Sequence, residues 1–480
     1  MPGNVPIVPS TILSVPSAPQ DLASALSAIP RAAGVSPDFP PEVLAEAERV
    51  AKNPPLPDAD LTDVEFATMD PIGSMDLDQA FFLAREGEGY RFLYAIADIA
   101  AFVAPGGPMD AESHRRGETI YAAGHRIPLY PTVLSEGVAS LLPDQLRGAF
   151  VWQFALDRTG EVTSRTVARA RVRSRRRLDY VGVAKQLADG TADEMLQLVR
   201  EVGTLRLRLE KERGGASLQA PETVVEHVDG RYSLERRAVQ PLESWNAELS
   251  LLTGMEAARI MINGEVGILR TMPAADPQAI DRFRRQTEAL GRPWPIGRPY
   301  GEYLDDVDGS APGDLAILHA ATRLFRGAGY TAFDGQVPAD TMQAAIGAPY
   351  AHVTAPLRRL VDRYGLLVCE ALCAGREPAD WVRAALPRLP SEMAQSGNLS
   401  GQVANRSLDA VEAAVLAPRR GREFEATVIA QTTDGCTIQL TDPAVTARCS
   451  GHPETGSRVR VRLVQADVET AQVAFELAAA

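Results

Sequence analysis

Residues 66–80 read Phe66-Ala-Thr-Met-Asp-Pro-Ile-Gly-Ser-Met-Asp-Leu-Asp-Gln-Ala80. Three carboxylates, Asp70, Asp76 and Asp78, fall within nine positions, with the amide Gln79 beside them. Carboxylates this close repel one another, and the crowding raises their proton affinity. Two outcomes relieve it: they turn different ways into water as a solvated acidic loop, or they share a cation. Asp76 and Asp78 are spaced i, i+2, so in extended chain they point the same way. Gly73-Ser74 permits a tight bend that returns Asp70 to the pair. Hard oxygen donors with open positions suit Mg²⁺ or Mn²⁺, which keep water or substrate phosphate in their shell. Such a group is equipped for metal-assisted phosphodiester hydrolysis.

Outward from this stretch the chain alternates between strand-like and loop segments. Residues 91–103 are apolar enough for a buried strand, closed by Pro105-Gly106-Gly107-Pro108, and 151–178 read as paired strands around Asp157-Arg158-Thr159-Gly160. Helical periodicity marks 184–212, 245–262, 277–290, 313–326 and 356–374. Residues 56–417 are therefore expected to form a mixed α+β domain. From 418 to 480, short β-rich runs divided by turn residues predict a small closed barrel of the OB-fold kind. Residues 1–55 form a Pro-rich and helical region, with helices expected at 21–31 and 41–52. Those two fit a helix-turn-helix or a plain linker pair.

Length and composition agree with one large domain plus a small one: 480 residues, 45% apolar. No apolar run is long enough to cross a membrane, and no basic-then-apolar leader opens the chain. Four cysteines are few; Cys369 and Cys373 at i, i+4 in an apolar helical run read as core, and no spacing resembles a zinc site. A reducing cytoplasm is the expected location. The formal net charge of -13 argues mildly against a nucleic-acid binder. A basic channel can nevertheless sit inside an acidic shell. Arg169, Arg171, Arg173, Arg175, Arg176 and Arg177 cluster with the alternation of one strand face, and Arg358, Arg359 and Arg363 form a second group.

The second group lies in Tyr350-Ala-His-Val-Thr-Ala-Pro-Leu-Arg-Arg-Leu-Val-Asp362. Its pattern predicts a turn at 354–356 and a helix opening at Pro356. Arg358 then falls in the first helical turn, where the dipole disfavours a cation. Either it captures a phosphate with both prongs of its guanidinium, or it makes a surface salt bridge to Asp362.

Further motifs follow the acidic stretch in order: Ala95-Ile-Ala-Asp-Ile99, Gly107 to Asp110, Arg116-Gly-Glu-Thr-Ile-Tyr121, Ile127-Pro-Leu-Tyr-Pro131, Leu134-Ser135, Ser140-Leu-Leu-Pro143 with Arg147, Arg213-Gly-Gly215 and Glu248-Leu-Ser-Leu-Leu252. With these the chain, over roughly residues 40 to 415, resembles the ribonuclease II family, which includes ribonuclease R and the catalytic exosome subunit. The last sixty residues look like that family's OB-fold of the ribosomal S-one type. The resemblance implies 3′→5′ hydrolysis of single-stranded RNA to nucleoside 5′-monophosphates and a short end product, with Mg²⁺ or Mn²⁺. It makes Asp70, Asp76, Asp78 and Gln79 the metal-site positions and Asp78 the carboxylate closest to the chemistry. Arg358 is expected at the scissile phosphate, Tyr121 stacked on the 3′-terminal nucleotide and Glu248 on a ribose. Core tyrosine and helix-surface glutamate are the plainer readings of Tyr121 and Glu248. A monomer without an obligate protein partner is expected.

Three departures stand out. Gln79 occupies the place of a fourth aspartate, which leaves an active enzyme with weakened or altered metal binding, or an RNA-binding relative that has lost its chemistry. Leu218 falls where relatives carry an aromatic clamp, so grip on the last bases is expected to be one-sided. About sixty residues precede the catalytic region, too few for two cold-shock domains of about 70 residues each. RNA guidance is then expected to rest on the barrel and the channel arginines.

Overall fold

In the computed structural model the described residues are 20–122, 125–216, 222–228, 231–237, 239–307, 312–440 and 442–478. Helices α1 (Gln20–Ala32) and α2 (Pro41–Ala51) lie within a residue or so of expectation. They do not form an independent helix-turn-helix. Leu22 and Leu26 of α1 join the core of the C-terminal region, while Val43 and Ala47 of α2 join the main core. Each helix spends its apolar face on a different neighbour.

The main sheet is built from β1 (Phe66–Met69), β2 (Gln79–Glu86) and β3 (Gly89–Ala97), then, after α3 (Pro108–Arg116) and the small hairpin β4 (Ile120–Ala122) and β5 (His125–Ile127), from β6 (Arg147–Leu156), β7 (Val162–Val172) and β8 (Ser174–Leu178). The strand order is β7-β6-β3-β2-β1-β8, with only β1 and β8 parallel. Central β3 is buried on both faces except at Arg91. Phe92, Phe154 and Trp152 stack along β3 and β6 at ring separations of 5.6 and 5.8 Å. Each such side chain contributes roughly 1.5–3 kcal/mol by leaving water, so the sheet is a rigid floor. The expected strand at 91–103 ends at Ala97 because the Asp98 side chain caps a short turn at 99–101. In β7 the arginines alternate with buried Ala170 and Val172, as the spacing predicted.

The expected helix over 184–212 is two helices, α4 (Tyr180–Asp189) and α5 (Glu194–Glu212). Gly190, at φ 70°, ends the first, and the Asp193 side chain caps the second. The hairpin β9 (Glu222–Val228) and β10 (Arg231–Arg237) follows, then the long buried helix α6 (Pro241–Asn263) and β11 (Val266–Thr271). Helices α7 (Pro277–Ala289), α8 (Tyr300–Asp305) and α9 (Pro312–Ala321) share a small core of their own around Phe283, Trp294 and Tyr303. Strand β12 (Gly329–Asp334) pairs with β11, and β13 (Met342–Gln343) pairs with β14 (Ala348–Pro349). The chain continues through α10 (Leu360–Cys373), α11 (Asp380–Ala385) and α12 (Leu389–Leu416).

Beyond α12 the strands β15 (Glu423–Thr432), β16 (Gly435–Leu440), β17 (Thr446–Ser450), β18 (Arg458–Asp467) and β19 (Gln472–Leu477) close in the order β15-β16-β17-β19-β18. This is the expected barrel. Its core is continuous with α1 and with Val403, Val411 and Leu416 of α12. All four cysteines are free thiols. Among the described residues no helix is long and apolar enough to cross a membrane.

Candidate active site

Asp70, Asp76, Asp78, Gln79 and Arg358 line one small cavity together with Pro71 and Ser74. The acidic loop reaches this shape through the bend expected at Gly73, whose φ is 91°. The Ser74 N–H donates to the Pro71 carbonyl at 3.2 Å. Ser140 braces the loop, its hydroxyl accepting from the Leu77 N–H at 2.9 Å and donating to the Met75 carbonyl at 2.6 Å. The Leu141 N–H donates to the Leu77 carbonyl, and Arg147 holds the Ser140 carbonyl at 2.9 Å. The Ser140-Leu-Leu-Pro143 motif is thus the scaffold of the carboxylates. Arg177, from the basic cluster, donates to the Ser74 carbonyl.

Asp78 is buried at the mouth of β2. One carboxylate oxygen accepts from the Leu357 N–H at 2.7 Å, and the other faces Arg358 Nε at 3.3 Å. Burial pushes its carboxyl up to about 8, against the pull of Arg358 and the Leu357 N–H. Burial also raises Asp70, to about 6, with Asp76 adding repulsion. Asp76 instead meets Arg126 at 2.5 Å, and Arg126 also holds Glu136.

Arg358 is not in a helix. The expected opening at Pro356 is a turn, in which the Arg358 N–H donates to the Ala355 carbonyl at 3.2 Å, and α10 begins only at Leu360. The helix-dipole argument therefore does not apply to it. Nor does the surface ion pair: Arg358 is 9% exposed, and Asp362 is taken by Arg359 at 2.5 Å while also accepting from the Ala355 N–H. The turn is stitched to the segment before β4. Thr119 N–H donates to the Arg358 carbonyl, Leu360 N–H to Gly117, and Glu118 bridges Arg359. Tyr121, two residues further, is half-buried, and its hydroxyl finds no hydrogen-bond partner among the described residues. Burial pushes that hydroxyl up, with Arg358, Asp76 and Asp78 all in electrostatic reach.

Both ends of the Gln79 amide are engaged. Its Nε2 donates to the Thr354 carbonyl at 2.7 Å, and its Oε1 accepts from the Tyr94 hydroxyl. A carbonyl accepts only, so this orientation is dictated by chemistry. Gln79 thereby ties β2 to the turn that carries Arg358.

Glu248 is 1% exposed in α6, which rules out the surface reading. Its Oε2 has no hydrogen-bond partner among the described residues. Burial raises it to about 8, Glu210 adding repulsion and Arg206 and Arg213 opposing. Its charged neighbours thus come from α5 and the residue after it, not from the acidic loop. Leu218 lies outside the described residues. Sequence reasoning passed over Arg126 and Tyr94, and it placed Thr354 in the turn without its contact to Gln79. Arg126 adjoins a quoted motif, but Tyr94 carries no signal beyond strand alternation.

The donor chemistry of the cavity fits a hard divalent cation: three carboxylates line it, and burial raises two of them. Among the described residues no three acidic, imidazole or thiol groups are closed around a single cation-sized point. Asp76 and Asp78 face arginines instead.

The family described as RNB domain matches residues 58–372, and the RNase II-type exonuclease C-terminal S1 domain matches 422–478. Ribonuclease R of Escherichia coli (strain K12) is 29% identical over 349 residues, 69% of this chain and 41% of that relative. The chain thus spans less than half the length of that relative. Mycoplasma genitalium RNase R, solved in complex with ribose methylated single-stranded RNA, superposes with a TM-score of 0.85 at 18% identity, over 96% of this chain and 78% of that one. Yeast Ssd1, a pseudonuclease, superposes at 0.69 and 14% identity over 92% of this chain and 57% of that one. At such identities these structures share the fold, and the fold accommodates a nuclease and a pseudonuclease alike.

Proposed function

The chain belongs to the RNB family, and from that premise we propose that it is a hydrolytic 3′→5′ exoribonuclease acting on single-stranded RNA and releasing nucleoside 5′-monophosphates. The observation that carries this reading is the meeting of Arg358 with Asp70, Asp76 and Asp78 in one cavity. The pseudonuclease reading would need that machinery dismantled, and here it is whole apart from position 79.

Asp70, Asp76 and Asp78 would hold the divalent metal, Mg²⁺ or Mn²⁺, which when bound supplies a polarised phosphate oxygen and an activated water. Arg358 is a cation on a braced turn, excluded from bulk water, aimed at the group of carboxylates that would position a phosphate. Preorganised charge of this kind stabilises the negative charge that grows in a phosphoryl transition state. Asp78 anchors that turn through the Leu357 N–H and the Arg358 guanidinium. The half-buried Tyr121 ring offers a sequence-tolerant stacking face for the last base. The unpartnered Glu248 carboxyl suits a ribose 2′-hydroxyl, which supports discrimination against DNA.

A time course on 5′-labelled single-stranded RNA, with Mg²⁺ and then Mn²⁺, tests the reading beside an Asp78→Asn control. A ladder or short limit product that disappears in the control is expected. An Arg358→Ala variant should lose about 10²–10³ in kcat with a smaller change in KM. Tight RNA binding without shortening in either metal would leave an RNA-binding relative that has lost its chemistry. Equal rates on matched RNA and DNA oligomers would overturn the role given to Glu248.

A further inference from the structure

A second cavity shares no lining residue with the carboxylate site. It lies between α7, the short turn after α9, and the barrel loop at Thr455. Its floor includes Phe283 and Leu290, and Arg282, Arg285 and Arg323 stand around it. The floor is firm: Phe283 is 1% exposed and packs on Trp294 and Tyr303 at ring separations of 5.8 and 6.2 Å. The barrel side is seated as closely. A Cβ at Gly456 would come within 2.3 Å of Leu290 Cδ2, so the loop carrying Thr455 rests directly on the end of α7.

The charge is out of keeping with the rest of the chain. The formal net charge is -13, yet none of the residues lining this cavity is acidic. Two neighbouring arginines are occupied: Arg284 lies 4.5 Å above the Trp294 ring, and Arg292 pairs with buried Asp314. Arg282, Arg285 and Arg323 form no ion pair among the described residues. Like charges one helical turn apart, as at 282 and 285, cost a few tenths of a kcal/mol. That cost is offset where an anion sits between them.

We infer that this cleft is a second nucleotide-binding site, with the base against the apolar floor and the phosphate held by the three arginines. Guanidinium groups combine phosphate recognition with stacking on flat rings, which few other side chains do. The inference rests on the exoribonuclease reading, because that reaction brings both chemically suitable ligands: a nucleotide within an RNA strand and a free nucleoside 5′-monophosphate.

The test compares the full chain with a triple Arg282→Ala/Arg285→Ala/Arg323→Ala variant and with Ala279→Leu, which narrows the cavity without changing charge. Probes are a long and a short 5′-fluorescein oligouridylate, read by anisotropy in EDTA so that no strand is cut, and uridine 5′-monophosphate, read by calorimetry. If the site grips the RNA strand, the triple variant binds the long oligomer about tenfold more weakly. Its salt dependence becomes shallower by about 0.7 in log–log slope, the share of the one phosphate contact that is lost. Short-oligomer affinity stays unchanged, and Ala279→Leu weakens the long oligomer as well. If the site takes free nucleotide, monophosphate binding is present in the parent and lost in both variants. Unchanged binding of both long oligomer and monophosphate overturns the inference. So does an equal loss for the short oligomer, or a loss confined to the arginine variant. If the parent chain neither cuts nor binds RNA, the exoribonuclease reading fails by itself; the monophosphate arm then decides, its loss in both variants sustaining the site and its absence in the parent ending it.

Discussion

The Gln79 amide donates to the Thr354 carbonyl and accepts from the Tyr94 hydroxyl, and a carboxylate there would set two acceptors against each other. Gln79→Glu keeps the side-chain length and removes the donor. It should cost about 1–3 kcal/mol of stability by leaving the buried carbonyl unpaired, and lower kcat by loosening the turn under Arg358. Urea unfolding beside steady-state kinetics measures both, and an unchanged unfolding midpoint would contradict the bridging role. The spacing of Asp70, Asp76 and Asp78 left a shared-cation site and a solvated acidic loop both open. It did not show that Gln79 faces a carbonyl 275 positions away, or Asp78 an arginine 280 positions away. Neither contact leaves any periodicity in the chain.

At the level of elements, α6 and the segment after β14 are fitted backbone to backbone. A Cβ at Gly254 would lie 2.1 Å from Tyr350 Cε2 and 2.7 Å from the Ala351 carbonyl oxygen. Gly254→Ala gains up to about 1 kcal/mol in helix propensity. It should nevertheless destabilise the protein by up to about 2 kcal/mol net, because overpacking a close contact costs about 1–3. Thermal unfolding checks the sign: a stabilised variant would show that the segment yields. Ser250, one turn earlier in α6, meets the Thr354 hydroxyl at 2.9 Å, so a shift of this helix against the segment should lower activity as well. The delayed start of α10 is an element-scale lesson too. Pro356 suits a helix start and a turn equally. Pairing of 358–360 with 117–119 selected the turn, since Arg359 is extended at φ -143°.

Across the whole molecule, α12 joins the large domain to the barrel, and buried Glu412 sits at that joint beneath the Thr446 N–H. Burial raises its carboxyl to about 8, with Asp409 adding repulsion. The folded-state value exceeds the unfolded one of about 4.3, so the folded chain holds the extra proton between them. Stability should therefore be greatest below the lower value and decline as pH rises toward 8. Glu412→Gln, neutral throughout, should flatten that decline and unfold at higher temperature than the parent at pH 8. Melting curves from pH 5 to 9 test this, and parallel curves for the two proteins would refute it.

Hydrophobic periodicity, turn residues and motif order by themselves determined the α+β domain, the C-terminal barrel and the acidic cluster, because local patterns specify which faces must be buried. Only the tertiary structure decided that Arg358 is buried on a turn, that Glu248 of α6 is buried and that α1 and α2 serve different cores. Those outcomes depend on desolvation and on partners tens to hundreds of positions apart, and a buried charge finds its partner in space rather than in sequence.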